Sequence, residues 1–308
     1  MDCGGKNMIQ MWNEIMEQPQ AIARCQKTNS ATIKDIVSTI KTRDIQSVFI
    51  AARGTSDHAA VYGKYVLELL TGIPVGLSAP SVVTVYQKSL KLDKCMILGI
   101  SQSGKAADVL EVIKSANAAG ALTVSITNAA DSPLALEANY HLYCDAGLEQ
   151  SVAATKTFTT QIYILARLAA EWAANNGIKD ELSTIPERIN ETLKIAPLIE
   201  NCVQRYRFMN ECFVLARGVN YAVALETALK IQETTYVRAK AFATSDFYHG
   251  PMAMIERDIP VIVFAPEGPS LNYMTEMIKK LKDNNVELLV VSNNRDKLGE
   301  GASSFPIP

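Results

Sequence analysis

The feature that most constrains this chain is that it repeats itself. SVFIAARG (47–54) aligns with ECFVLARG (211–218) at an offset of 164, each an apolar run closing on Ala-Arg-Gly. CMILGIS (95–101) aligns with PVIVFAP (260–266), and LTVSITN (122–128) with ELLVVSN (287–293), both at an offset of 165. Three independent matches at one spacing mark a duplicated unit.

Within each copy an apolar run leads through a Gly-containing turn into a helical stretch and then another apolar run. KAADVLEVIKSANAAG (105–120) and YMTEMIKKLKDNN (273–285) place apolar residues at three- and four-residue spacing and end in Gly or Asn. Buried runs such as MILGI and VIVF, joined by helices, require parallel strands with right-handed crossovers and helices on both faces. The expected fold class is therefore α/β, with two tandem doubly wound parallel-sheet domains and connecting helices. Helical patterning over 8–45, interrupted near Pro19, predicts N-terminal helices (1–45) ahead of a first domain at 46–180 and a second at 181–308. Further helices are expected at 158–176 and from about 183, near Pro186. These and the N-terminal helices are expected to pack the halves together or to form a dimer contact. A chain of 308 residues, at ~150 residues per domain, agrees with two domains.

Composition removes several classes of function. Lys+Arg 30 against Asp+Glu 32 gives a net charge of -2, so no basic field exists to hold nucleic acid, and a small-molecule partner is expected. No uncharged apolar run reaches the ~18 residues of a membrane span, and MDCGGKNMIQ lacks the build of a signal peptide. The expectation is a cytoplasmic protein with no membrane partner. Six cysteines without a C-x-x-C pair read as reduced thiols, and Cys3, beside Gly4 and Gly5, reads as part of a loose terminus rather than as a nucleophile. No His/Cys/Asp cluster has metal-ligand spacing, so neither a metal nor another cofactor is expected.

Ligands of open α/β sheets bind at the carboxyl ends of the strands, in the strand-to-helix turns. The first copy carries RGTSDH (53–58) and SQSGKA (101–106) there. The hydroxyls and backbone N–H groups around Ser101, Gln102, Ser103 and Gly104 face the positive end of a helix dipole and form an anion cradle. Neither G-x-x-x-x-G-K-[ST] nor G-x-G-x-x-G follows a strand, so the anion is a single phosphate monoester rather than a nucleotide. Thr55 and Ser56 converge on the same phosphate. Each turn taken alone reads equally well as a helix N-cap. The second copy has RGVN (217–220) and PEGP (266–269) instead, so one duplicated domain kept its cradle and the other lost it.

The second copy carries a different cluster. In YAVALETALKIQETTYVRAKAF (221–242), Glu226, Lys230 and Glu233 fall at i, i+4 and i+7 on one face of an otherwise apolar helix. DFYHGP (246–251) adds His249 in a turn fixed by Gly250 and Pro251, a group able to act as acid or base near neutral pH. Of the other two histidines, His58 belongs with the phosphate turn, and His141 in NYHLY reads as structural or surface.

RGTS, SQSG, VAATKTFTTQ (152–161), ALETALKIQETTY (224–236) and FYHGP (247–251) together resemble the tandem sugar isomerase (SIS) domain family. The likeness, over nearly all of the chain, is to the isomerase half of glucosamine-6-phosphate synthase and to stand-alone amino-sugar phosphate deaminases. It implies that Thr55, Ser56, Ser101, Gln102 and Ser103 hold the sugar phosphate and that Val152 makes a backbone contact to the sugar. It implies that Glu233 shuttles the proton between C1 and C2, that Lys230 lies one turn before it, and that His249 opens the ring from a neighbouring subunit, hence a homodimer. Three departures accompany it. No glutaminase domain is present, Ala106 stands where the synthase has a phosphate-site threonine, and the sequence stops at FPIP, where the family continues into a helix and a tail bearing a Schiff-base lysine. The layout implies an amino-sugar 6-phosphate deaminase and aldose–ketose isomerase. A non-catalytic sugar-phosphate-binding module and a fructosamine-phosphate deglycase are the alternatives.

Overall fold

The computed structural model describes the backbone of residues 3–308 and side chains from Ile9 onward, so the reading of the Cys3 thiol falls on a side chain outside what is described. The chain divides into two units, Met1–Pro186 and Glu187–Pro308.

The first unit opens with three helices, α1 (Cys3–Met16), α2 (Gln18–Thr28) and α3 (Ser30–Thr42). An alternating series follows: β1 (Ser47–Ala51), α4 (Thr55–Thr71), β2 (Val75–Leu77), α5 (Ser81–Thr84), β3 (Cys95–Ser101), α6 (Ala107–Ala118), β4 (Leu122–Thr127), α7 (Pro133–Glu137) and β5 (Tyr140–Tyr143). Helices α8 (Lys156–Trp172) and α9 (Asn176–Ser183) close it. The strands form one parallel sheet in the order β2-β1-β3-β4-β5. Every residue of β3 and β4 is buried, which is why these runs are continuously apolar rather than alternating. On one face Ile97 packs with Val109, Val112, Ile113 and Ala116 of α6. Helix α6 starts at Ala107, two residues later than the periodicity predicts, because Ala106 is extended at ψ 106 and Lys105 belongs to the preceding turn. The N-terminal helices lie within this unit, where α2 and α3 pack along α8.

Two carboxylates of the N-terminal helices tie them to the loop ahead of α8. Glu14, fully buried, accepts the Gln150 backbone N–H at 2.6 Å and that of Ser151 at 3.3 Å. Glu17 meets the buried Lys156 ammonium at 2.5 Å. Burial opposes ionisation of Glu14, yet hydrogen bonds from Ser151, Gln150 and Gln10 outweigh it and hold its pKa below the usual 4.5. A depressed folded-state pKa contributes stability above the unfolded value, and that stability is lost as pH falls through the folded value. Glu14→Gln is therefore expected to lower the urea midpoint at pH 7, with the gap to wild type narrowing steadily below pH ~4.5. A gap independent of pH would show that the charge is not what matters.

The second unit begins with α10 (Ile185–Leu193), which spans the boundary, and α11 (Ala196–Val203). It continues through β6 (Glu211–Ala216), α12 (Tyr221–Thr235), β7 (Arg238–Ala243), α13 (Thr244–Tyr248), β8 (Pro260–Phe264), α14 (Leu271–Asp283), β9 (Glu287–Ser292), α15 (Arg295–Leu298) and β10 (Ser303–Pro306). Its parallel strands run β10-β9-β8-β6-β7, which repeats the first sheet's order strand for strand. Cys212, Val214 and Ala216 of β6 pack on Ala224 and Ala228 of α12. The alternate residues Phe213 and Leu215 face the other way, into a core with Phe247, Met274, Met277 and Ile278. Helices α12 and α13 thus cover opposite faces of this sheet.

Candidate functional site

The order β2-β1-β3-β4-β5 reverses direction between β1 and β3, and a crevice opens outside the carboxyl ends of those two strands. A cavity of about 250 Å3 lies there. Thr55, Ser56, Ser101, Gln102, Ser103 and Val152, the six residues singled out for a sugar phosphate, all line it. Arg53, Thr157 and Gln161 line it as well.

Three helices begin at this wall. Gly54, at φ +56, turns the chain from β1 into α4, so that Thr55 and Ser56 are its first two residues. The turn after β3 closes with Gly104 N–H donating to the Ser101 carbonyl at 3.2 Å, and Ala106 before α6 faces the cavity. Thr157 presents the first turn of α8. The helix starts and the hydroxyls of Thr55, Ser56, Ser101 and Ser103 make a positive, donor-rich concavity suited to one small anion. Arg53 supplies a cation at the rim, its Nη2 held 2.6 Å from Asp108 Oδ2.

Gly104 cannot be another residue. Its φ is +63, and a Cβ built on it would meet Ser132 Oγ at 2.0 Å. Ser132 is fixed in turn, donating to the Ala129 carbonyl at 2.7 Å and accepting from Ala135 N.

Thr157, Gln161 and Glu149 were not evident from periodicity. Gln161 is 1% exposed, and its Nε2 donates to Ser56 Oγ at 3.1 Å while its Oε1 has no partner among the described residues. The signal that marks Thr157 and Gln161 is chemical: with Thr160 they put buried polar side chains into an apolar helix. His141 has the structural role expected of it, its Nε2 lying 2.9 Å from Thr127 Oγ1, and burial lowers its pKa.

The corresponding edge of the second sheet is built differently. Position 267 stands where Gln102 stands in the first copy, and it holds a carboxylate. Glu267 N–H donates to Asn293 Oδ1 at 2.7 Å, and Asn294 Nδ2 donates to Glu267 Oε1 at 3.1 Å. A carboxylate there opposes an anion.

The charged row on α12 forms as its spacing predicts. Lys230 Nζ lies 3.2 Å from Glu226 Oε1 and 2.6 Å from Glu233 Oε2. The Glu226 side chain is 7% exposed, that of Lys230 19% and that of Glu233 31%, so the row runs from the interior outward. His249 is exposed at the end of α13, two residues after the buried Phe247. Glu233 and His249 therefore belong to helices on opposite faces of one sheet, and the structure does not bring them together within this unit.

A duplicated, doubly wound parallel fold with a small-anion cavity at the switch point of its first sheet defines a two-domain, anion-binding class of α/β protein. The chain belongs to the SIS domain family, whose pattern matches residues 42–170 and 209–299. A glutamine–fructose-6-phosphate aminotransferase (isomerizing) of Clostridium perfringens is 34% identical over 317 residues, covering 96% of this chain and 52% of that protein. The chain spans about half the length of the curated relatives it matches. Among solved structures, a Silicibacter pomeroyi protein assigned as a phosphosugar isomerase is 32% identical with a TM-score of 0.87, covering 97% of this chain and 89% of its own. The C-terminal domain of glucosamine-fructose-6-phosphate aminotransferase from Francisella tularensis, 24% identical over 97% of this chain and 88% of its own, shares the fold at a TM-score of 0.85. No helix among the described residues is long and apolar enough to cross a membrane.

Proposed function

We propose that this chain is an amino-sugar 6-phosphate deaminase and aldose–ketose isomerase that converts glucosamine 6-phosphate and water to fructose 6-phosphate and ammonia. The observation that carries this reading is the gathering of Thr55, Ser56, Ser101, Gln102 and Ser103 around one cavity at the β1/β3 switch point. Neutral hydroxyls and helix N-termini suit a phosphate monoester, and anchoring the phosphate orients the sugar for chemistry at its other end.

The chemistry needs one group that takes a proton and gives it back. In the open-chain sugar Glu233 removes the C2 proton and returns it at C1 while a proton of the amine passes to O1, so that the aldehyde becomes the C1 hydroxymethyl group and an imine is left at C2, which adds water and releases ammonia. Lys230, 2.6 Å from Glu233, keeps that carboxylate in place. His249 moves the proton that opens the ring. That α12 and α13 lie on opposite faces of the second sheet supports the reading, implied by the family resemblance, that His249 serves the Glu233 of another copy in a homodimer.

The test is to incubate the protein with glucosamine 6-phosphate and follow ammonia and fructose 6-phosphate together, expecting the two in equal amounts. Binding of the sugar phosphate without product would sink the deaminase reading in favour of a binding module.

A further inference from the structure

We propose that Glu149 is the positioning residue of the phosphate cavity, acting through Gln102 and the first turn of α8; this rests on the cavity being the sugar-phosphate site. Glu149 belongs to the loop between β5 and α8 and is half-buried. Its Oε2 accepts from Gln102 Nε2 at 3.0 Å and from the Thr157 hydroxyl. Its Oε1 accepts from Thr155 N–H at 2.8 Å, Thr155 Oγ1 at 3.0 Å and Thr157 N–H at 3.3 Å. Five donors thus share two oxygens, more than the roughly four lone-pair positions a carboxylate offers. No neutral side chain can take this role, because an amide has only one acceptor oxygen.

The position of these partners gives the carboxylate its function. Gln102 belongs to the turn after β3, and Thr157 to the start of α8. Four residues further along α8, Gln161 donates to Ser56 at the start of α4. The path Gln102, Glu149, Thr157, Gln161, Ser56 joins the three walls of the cavity, and each of its members except Glu149 lines the cavity directly. Glu149 also orients its partners. Gln102 must present its amide nitrogen to the carboxylate, and the Thr157 hydroxyl must donate inward, which leaves its lone pairs rather than its proton toward the cavity. Gln161, donating to Ser56 Oγ, makes that hydroxyl an acceptor on the protein side and so turns its proton toward the cavity. The frame therefore fixes which hydroxyls donate to an incoming anion and which do not.

The experiment is a double-mutant cycle on Glu149 and Gln102, read by titration calorimetry with glucose 6-phosphate, which has no amine to lose, and by kinetics with glucosamine 6-phosphate. Glu149→Ala is expected to weaken glucose 6-phosphate binding ~10–100-fold, as loss of a charge-assisted hydrogen bond does, and to raise KM in parallel with little change in kcat. Gln102→Ala in the Glu149→Ala background should add much less than it costs alone, because both act through one contact. Glu149→Gln keeps the side-chain volume and covers the case in which the alanine variant does not fold; an affinity loss of several-fold is expected. Unchanged affinity in a folded Glu149 variant, or losses that add in full, would overturn the positioning role while leaving the cavity's assignment intact. A wild-type protein that binds neither sugar phosphate would remove the cavity's assignment and this proposal with it.

Discussion

Glu233→Gln is expected to remove turnover of glucosamine 6-phosphate by at least ~10²–10⁴-fold, the usual worth of a positioned acid–base group, while leaving sugar-phosphate binding unchanged. The substitution keeps the side chain's shape and removes its ability to carry a proton. Lys230 loses its partner at 2.6 Å but retains Glu226 at 3.2 Å, so α12 is not left with an unpaired buried ammonium. Ser103→Ala should show the opposite pattern, weakening binding of any sugar phosphate through the cavity wall while the proton carrier is intact. Equal loss of binding and turnover in Glu233→Gln would mean that this helix is structural. The same variant tests the subunit arrangement. Glu233→Gln and His249→Ala homodimers are each expected to be inactive, and mixing and reannealing them should restore part of the activity, since one site of a mixed dimer then combines an intact Glu233 with an intact His249. No recovery from a mixture shown by mass spectrometry to contain mixed dimers would place both residues in the service of the same chain.

Gly104→Ala is expected to cost about 2–4 kcal/mol of stability and to abolish phosphate binding. Two effects combine. The residue needs φ +63, which L side chains adopt at a cost, and its new Cβ would lie 2.0 Å from Ser132 Oγ and 2.4 Å from Ser132 Cβ. Ser132 cannot step aside without giving up its bond to the Ala129 carbonyl and its cap on α7. The turn has to move instead, and Gln102 and Ser103 lie in it. Calorimetry with inorganic phosphate and a urea melt read the two consequences separately. The double variant Gly104→Ala with Ser132→Gly should recover part of the stability by removing the clash, and full stability in the single variant would show that the turn is softer than its contacts imply.

Much of this architecture could be read from the chain because it appears twice. Strands β3 and β4 are apolar runs buried along their whole length and β6 along all but its first residue, while β1, β8 and β9 are apolar runs with some partly exposed positions, and the shared offset makes each copy a check on the other. The edge strands carry no such signal. β2 is three residues, VGL, and β5, YHLY, β7, RAKAFA, and β10, SSFP, are partly exposed, so neither continuous apolarity nor clean alternation marks them. The turn residues Ser101, Gln102 and Ser103 were legible because strand-to-helix turns are where such sheets bind ligands. Glu149 was not, since its partners lie 47 residues back and six to eight ahead, and only the fold joins them. Nor does the spacing of Glu233 and His249 reveal that a sheet separates the helices carrying them.

The ties from the N-terminal helices to the loop before α8 bear on when the first unit can fold during synthesis. Glu14 and Glu17 bond residues 136 and 139 positions further on, and Asn29 bonds Tyr143, 114 positions away. At ~5–20 residues per second the ribosome delivers those partners about 6–28 s after the helices themselves. Until then the apolar faces of α2 and α3 have no α8 to cover them, a window in which a chaperone has something to hold. All of these partners precede residue 187, so every tie of the first unit can close before the first strand of the second has been made.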